Sequence, residues 1–267
     1  MRVLISMRSK IFALFLLSLS FFPVHAQAFK LSPVTDSALL GTGIALSGAD
    51  LILDNALKLN RQKYDGEIFD KDDVNPFDRK FMRSYSKSRD RAADFLLAAT
   101  LATPIVLAKT QKEDLITCGV MYAETLLIAN GIKELTKLAV NRTRPYMYYD
   151  ADTFPEKDVD DGDWANSFPS GHSTMAFSAA TFTSYTFCKY FPDSNLRIPV
   201  VAGSYAMACG VAALRLSSGN HFMTDVLTGA AIGSAVGFLV PWLHAFNAKN
   251  DLNVALRADG ISVAVSF

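Results

Sequence analysis

Long apolar runs broken by short polar loops dominate the chain. Ser37–Leu59 has a helical pattern, although it carries Gly41, Gly43 and Gly48 and the acids Asp50 and Asp54. Arg61–Arg91 is polar and dense in both charge signs, with a turn signal at Asn75-Pro76. Ala92–Ala108 is apolar around Asp94, and Leu115–Leu135 is apolar around Glu124. A polar loop at 141–166 follows. Ser173–Phe187, Ile198–Leu214 and Phe222–Phe246 are apolar again and rich in small residues. Asn253–Phe267 alternates around Asp259-Gly260, which predicts a short hairpin. The pattern predicts an all-α bundle of five or six core helices with this C-terminal β-hairpin. Most runs are near the ~20 residues of a membrane span, and small residues suit helix packing in lipid. The reading is therefore a membrane-embedded bundle, with a soluble bundle of unusually apolar core as the alternative.

Composition supports this picture. Half of the 267 residues are apolar and only 19% are charged, below the roughly 25% of an average soluble domain. The formal net charge is zero, which speaks against nucleic acid as a partner. Cys118, Cys188 and Cys209 lie in or beside apolar runs without CxxC spacing, and read as packing residues. At the N-terminus, Arg2, Arg8 and Lys10 precede an apolar stretch from Ile11 to Phe22, and Ala26-Gln27-Ala28 fits a cleavage site. Residues 1–28 therefore read as a bacterial export signal, with an uncleaved anchor as the alternative. The expected division is 1–28 signal, 29–91 N-terminal helix and polar segment, 92–246 main domain, and 247–267 tail. Two spans, Ala92–Ala108 and Leu115–Leu135, would place the loops after Leu135 and Leu214 in the periplasm. This requires that Ser37–Leu59 does not span. Lys109, Lys112, Lys189 and Arg197 would then face the cytoplasm, as the positive-inside rule prefers.

Three short blocks carry candidate chemistry. In Lys137-Leu-Ala-Val-Asn-Arg-Thr-Arg144-Pro145, the two cations are two helical turns apart and share a face if the helix continues to Arg144. Two like charges on one face call for an anion between them. Alone, the block fits a basic juxtamembrane end better. In Phe168-Pro169-Ser170-Gly171-His172-Ser173, a tight turn opens an apolar helix, so Ser170 and the Gly171 and His172 amides lie at an anion-binding N-terminus. A plain N-cap is the simpler account of the serines. In Arg215-Leu-Ser-Ser-Gly-Asn-His221-Phe-Met-Thr-Asp225, the carboxylate lies one helical turn from the imidazole. That pair alone is more often structural. Together the blocks supply cations, a helix N-terminus and two of the four histidines, on loops that share one side. This is the equipment of phosphoryl transfer.

The blocks resemble the three motifs of the type 2 phosphatidic acid phosphatase superfamily, K-x6-R-P, P-S-G-H and S-R-x5-H-x3-D, over about residues 92 to 246. The first two match in full. In the third, Leu214 replaces the serine. The resemblance implies a metal-independent phosphatase without cofactors. It implies that His221 is a nucleophile forming a phosphohistidine, that Asp225 orients it, and that His172 protonates the leaving oxygen and later activates water. Lys137, Arg144, Arg215, Ser170 and Gly171 would hold the phosphate. Implied partners are a phosphorylated lipid or small phosphate ester, and a membrane. The family also contains soluble acid phosphatases or phosphotransferases and vanadate-dependent haloperoxidases, so these remain alternatives.

One feature stands apart from these motifs. Asp150, Asp152, Glu156, Asp158, Asp160, Asp161 and Asp163, followed by Trp164, make the loop between the first two blocks acidic. It reads as a solvated loop, or as a lid that disfavours highly anionic substrates. It lacks the spacing of a calcium loop.

Overall fold

The computed structural model describes residues 28–59, 61–249, 251–257 and 260–266. The expected signal segment lies outside them. The helices are α1 (Pro33–Asp50), α2 (Pro76–Arg79), α3 (Lys87–Leu101), α4 (Lys112–Ala139), α5 (Glu156–Asp160), α6 (Gly171–Tyr190), α7 (Arg197–Ser217) and α8 (Met223–Lys249). Two strands, β1 (Asp251–Arg257) and β2 (Gly260–Ser266), pair antiparallel behind α8.

Helices α4, α6 and α7 extend at both ends past the apolar runs that announce them. Helix α3 begins at Lys87, five residues before its apolar stretch, because its first turns face a polar cavity. It ends at Leu101 and gives way to a 3₁₀ turn, Thr103–Leu107. Helix α1 continues into a π-turn, Leu51–Ala56. Among the described residues, four helices are long and apolar enough to cross a membrane: α1 with its extension to Leu53, α4, α7, and α8 to Ala248. The apolar run Ala92–Ala108 is not one of them, because its helix is broken at Ala102.

Helix α6 is the centre of the bundle, wrapped by α8, α7, α4 and α3. Its apolar content is diluted by serines and threonines whose hydroxyls return to the carbonyl four residues back, as in Ser178 to Thr174 at 2.8 Å and Ser184 to Ala180 at 2.7 Å. The helix can thus be buried with its hydroxyls paired, apart from that of Ser173. Helix α8 approaches it along Gly229, Gly233 and Gly237. A Cβ at Gly229 would lie 2.6 Å from the Ser170 carbonyl oxygen, and one at Gly233 would strike that of Thr174. Four-residue spacing puts these glycines on one face. The close contact brings the start of α8 against the start of α6, where the Ser170 amide donates to the Asp225 carbonyl at 3.0 Å.

The ends of the bundle are distinct. At one end, Phe29, Leu107, Met121, Phe182 and Phe187 form an aromatic core, and the Lys30 amide donates to the His244 carbonyl at 3.2 Å. At the other end, the segment expected only to be polar supplies Tyr64, Phe69 and Tyr85, which pack on Tyr146, Met147 and Trp164. Helix α1 climbs parallel to α4, with Asp36 near the level of Glu124 and Ser47 donating to the Leu127 carbonyl at 2.8 Å. Three helices, α1, α3 and α4, therefore run the height of the bundle before the loop after Ala139. Residue 28 and that loop lie at opposite ends. The glycine-rich α1 packs lengthwise on α4 instead of lying across its end.

Candidate active site

A cavity of about 420 Å³ opens at the end of Tyr146 and Trp164, walled by the ends of α3, α4, α6 and α7 and by the loops after α4 and α7. Lys137, Arg144, Gly171, His172, Arg215 and His221 all line it. Ser170 and Asp225 lie behind the wall, fully buried.

Arg144 arrives there differently from the helical expectation. Helix α4 stops at Ala139, and Arg144 is extended, with φ −72° and ψ 150°. Residues 142–144 run beside 164–166 instead: the Arg142 amide donates to the Ala165 carbonyl and the Arg144 amide to the Trp164 carbonyl, both at 2.8 Å. The Arg144 guanidinium then bonds the Asp163 carboxylate and carbonyl and the Asn220 side-chain oxygen.

The cations do not wait unpaired for an anion, as the sequence suggested. Lys133 and Lys137, one turn apart on α4, share Glu134. Arg144 holds Asp163, Arg215 holds Asp90, and His172 Nε2 lies 2.8 Å from Asp94. Every positive side chain is thus fixed in place before a ligand arrives. Burial would raise the Asp163 carboxyl, but the adjacent Arg144 charge outweighs this and holds it below the usual range. One donor is left over. Arg215 Nε is buried without a partner, an incentive for an acceptor to enter.

Ser170 caps α6 weakly, its Oγ accepting from the Ser173 amide at 3.4 Å, and its hydroxyl does not line the cavity. The N-cap reading of the second block therefore holds for Ser170, while Gly171 and His172 face the cavity. A Cβ at Gly171 would sit 3.3 Å from Lys133 Cδ, so the bare glycine admits that lysine.

His221 follows Gly219, whose φ of +77° turns the chain beneath the Arg83 and Ser84 carbonyls. The imidazole is 2% exposed. Its Nδ1 lies 2.7 Å from the Ser167 carbonyl and 3.7 Å from Asp225 Oδ2. A carbonyl only accepts, so Nδ1 carries the proton and Nε2 keeps its lone pair. The direct orienting group is therefore the Ser167 carbonyl. Asp225 acts one bond further back, accepting from Ser167 Oγ at 2.5 Å and from the Phe222 amide at 2.8 Å. Arg142 bridges Asp225 to the fully buried Asp78, which also accepts from the Thr224 amide and hydroxyl and from Asn75.

Sequence reasoning missed Asp90, Asp94, Lys133, Arg142, Asp163, Ser167 and Asn220 as members of this assembly. A helical pair signal was present for Asp90 and Asp94, four apart. Arg142 stood inside the first block. Nothing in the sequence marked Ser167 or Asn220. Within the acidic loop, Asp158 and Asp163 line the cavity, while Asp150, Asp152, Glu156, Asp160 and Asp161 are exposed. The loop is thus partly wall and partly solvated surface.

Burial, reinforced by Arg215 and Arg144, pushes His221 well below the usual histidine value of 6.5. Burial and Arg215 push His172 down to about 3. The folded protein thus refuses protons that the unfolded chain accepts below about 6.5. Stability is fully present above that pH and falls as pH drops towards the folded values, by about 1.4 kcal/mol per pH unit for each such histidine. The Tm in phosphate-free buffer is expected to fall between pH 7 and pH 5, less steeply in His221→Ala. Equal slopes in the two proteins would refute the assignment.

The sequence model of the PAP2 superfamily matches residues 119–249, a stretch that contains all three blocks. The chain is 39% identical over 83 residues to a lipid A 1-phosphatase of Porphyromonas gingivalis, covering 31% of this chain and 17% of that protein. It is 36% identical over 77 residues to phosphatidylglycerophosphatase B of Bacillus subtilis, covering 28% and 37%. It is 30% identical over 129 residues to a lipid A 1-phosphatase of Rhizobium etli, covering 48% and 50%. The chain thus spans half or less of the length of each of these relatives. The crystal structure of a transmembrane PAP2-type phosphatidylglycerolphosphate phosphatase from Bacillus subtilis aligns at 20% identity and a TM-score of 0.37, covering 88% of this chain and 94% of that one. The three blocks gather around one cavity, and the stretch that carries them, residues 119–249, is a PAP2 superfamily match.

Proposed function

We propose that this protein is a membrane-embedded phosphatase that hydrolyses a phosphate ester of a lipid through a phosphohistidine on His221. The observation that carries the reading is a single buried imidazole. Its Nδ1 is committed to a backbone carbonyl and its ring borders a cavity walled by Lys133, Lys137, Arg144 and Arg215. The apolar helices around the cavity and the lipid phosphatases among the relatives favour a lipid substrate.

In the first step His221 Nε2 attacks phosphorus and the bond to the leaving oxygen breaks. Arg144, Arg215 and Lys137 stabilise charge on the remaining phosphoryl oxygens. His172 Nε2 gives its proton to the leaving oxygen. An incoming dianion cancels the repulsion that Arg215 exerts on this imidazole, so substrate binding itself favours the protonated form. In the second step neutral His172 takes a proton from water, the oxygen attacks phosphorus, and the P–N bond breaks to release inorganic phosphate and restore His221. Leu214, at the position of the family's serine, provides no hydroxyl to the phosphate. No step calls on a metal.

The test uses purified protein in detergent with phosphatidic acid, phosphatidylglycerophosphate, lipid A and a water-soluble phosphomonoester. Release of phosphate from at least one lipid, with an acid-labile phosphoenzyme and little effect of EDTA, is the expected result. Halide oxidation with vanadate, or exclusive turnover of the soluble ester, would replace this reading by one of the other two family activities.

The same reading places the cavity on the periplasmic side of an inner membrane. The short turns carrying Lys109 and Lys112, and Lys189 and Arg197, lie at the opposite end, where the positive-inside preference puts the cytoplasm. Residue 28 lies at that end too. A cysteine placed at the exposed Asp152 should react with a membrane-impermeant maleimide in cells with a permeabilised outer membrane. Reaction only after inner-membrane lysis would reverse the orientation.

A further inference from the structure

Away from the cavity, three helices converge on a second polar cluster. Asp36 from the first turn of α1, Glu124 from the middle of α4 and His244 near the end of α8 each present one donor atom, all within 4.8 Å of one another. Helix rise places His244 about 28 Å along α8 from Asp225, and Glu124 about 20 Å along α4 from Lys137. The mechanism above uses none of the three.

Their hydrogen bonding is incomplete in a specific way. His244 is fully buried, and its Nδ1 lies 2.9 Å from the Val240 carbonyl. That acceptor claims the Nδ1 proton and turns the Nε2 lone pair toward the carboxylates. Nε2 is 2.9 Å from Asp36 Oδ1 and 3.3 Å from Glu124 Oε2. Glu124 is completely buried, yet neither of its carboxylate oxygens has a hydrogen-bond partner. One turn beyond His244, the Asn247 side-chain oxygen is likewise buried and unpartnered, although its amide donates to Thr35 at 3.2 Å.

We infer that Asp36, Glu124 and His244 form a binding site for a divalent transition-metal cation that pins α1 to α4 and α8. Charge balance points there. Two carboxylates and a neutral imidazole are three acceptors facing one another, and a divalent cation neutralises them. An imidazolium would leave a net negative charge buried unless Glu124 kept its proton, and in either case a Glu124 oxygen stays without a partner. The donor set of one nitrogen and two oxygens suits Zn²⁺ or Mn²⁺, whereas Mg²⁺ and Ca²⁺ favour oxygen alone. Bonds of about 2.0–2.2 Å to each donor need only small side-chain adjustments from these separations. The role is structural, so it is compatible with metal-independent chemistry at the other end.

The experiment strips purified full-length protein with EDTA, re-equilibrates it with Zn²⁺ or Mn²⁺, and measures bound metal by mass spectrometry together with Tm. Wild type and the His221→Ala variant should each retain one metal per chain and gain Tm on metal addition. Glu124→Gln and His244→Ala, selected as monodisperse, should retain more than about tenfold less and show no metal-dependent gain. Asp36→Asn, the mildest change, serves if either of those fails to fold. Wild type without bound metal, or metal retained equally by Glu124→Gln or Asp36→Asn, would overturn the site and leave a hydrogen-bonded tether.

Discussion

Replacing His221 by alanine is expected to lower phosphate release on the order of 10⁴-fold or more and to abolish the phosphoenzyme trapped by an alkaline quench. Binding of inorganic phosphate should survive, because the cations are held by Asp90, Glu134 and Asp163 and not by the imidazole. The size of the effect follows from geometry. Among the described residues no other imidazole faces the cavity except His172, whose Nε2 is engaged with Asp94. His172→Ala should behave differently: with a good leaving group the phosphoenzyme still forms, but it then accumulates because its hydrolysis lacks a base. Wild-type rates in His221→Ala, or a phosphoenzyme that persists there, would end the phosphohistidine reading.

The second large effect is on stability. Arg142→Ala should destabilise the protein by about 3–5 kcal/mol, the usual result of removing one partner from buried carboxylates. Arg142 lies between Asp78 and Asp225, both fully buried, bonding one with each terminal nitrogen. It also donates to the Thr224 hydroxyl at 2.7 Å and lies over the Phe222 ring at 4.1 Å. Burial would raise the Asp78 carboxyl, but bonds from Thr224, Arg142 and Asn75 hold it below its usual value. Without Arg142 that balance reverses. Arg142→Lys should recover only part of the loss, since an ammonium cannot span both acids as a planar fork does. Activity should fall with stability, because Asp225 fixes Ser167 and Ser167 fixes His221. An unchanged Tm in Arg142→Ala would show that the buried acids are neutralised in another way.

The two variants mark different depths of legibility. His221 stood in a recognisable block and was assigned from it. Arg142 stood inside another block, yet its role depends on Asp78, 64 positions earlier in the chain, and on Asp225, 83 positions later. Spacing along a sequence does not reveal such a bridge. The same limit explains Asp90 and Asp94. Asp90 read only as part of a polar stretch and Asp94 as an acid in an apolar run, because helical periodicity is visible only when one face meets an apolar core, and here that face meets a cavity.

By itself the sequence determined that the chain is a bundle of apolar helices and which loops meet at its cavity. The periodicity of the long runs and the composition of three short blocks are local properties. Tertiary structure alone decided how Arg144 reaches the site, since an extended pairing with 164–166 replaces the helical face. It also made the Ser167 carbonyl, rather than Asp225, the direct partner of His221. Finally, it set residue 28 at the opposite end from the cavity, because α1 lies lengthwise on α4. The physical reason is common to all three. Each depends on which backbone groups and charges meet across the fold, and burial makes those encounters decisive.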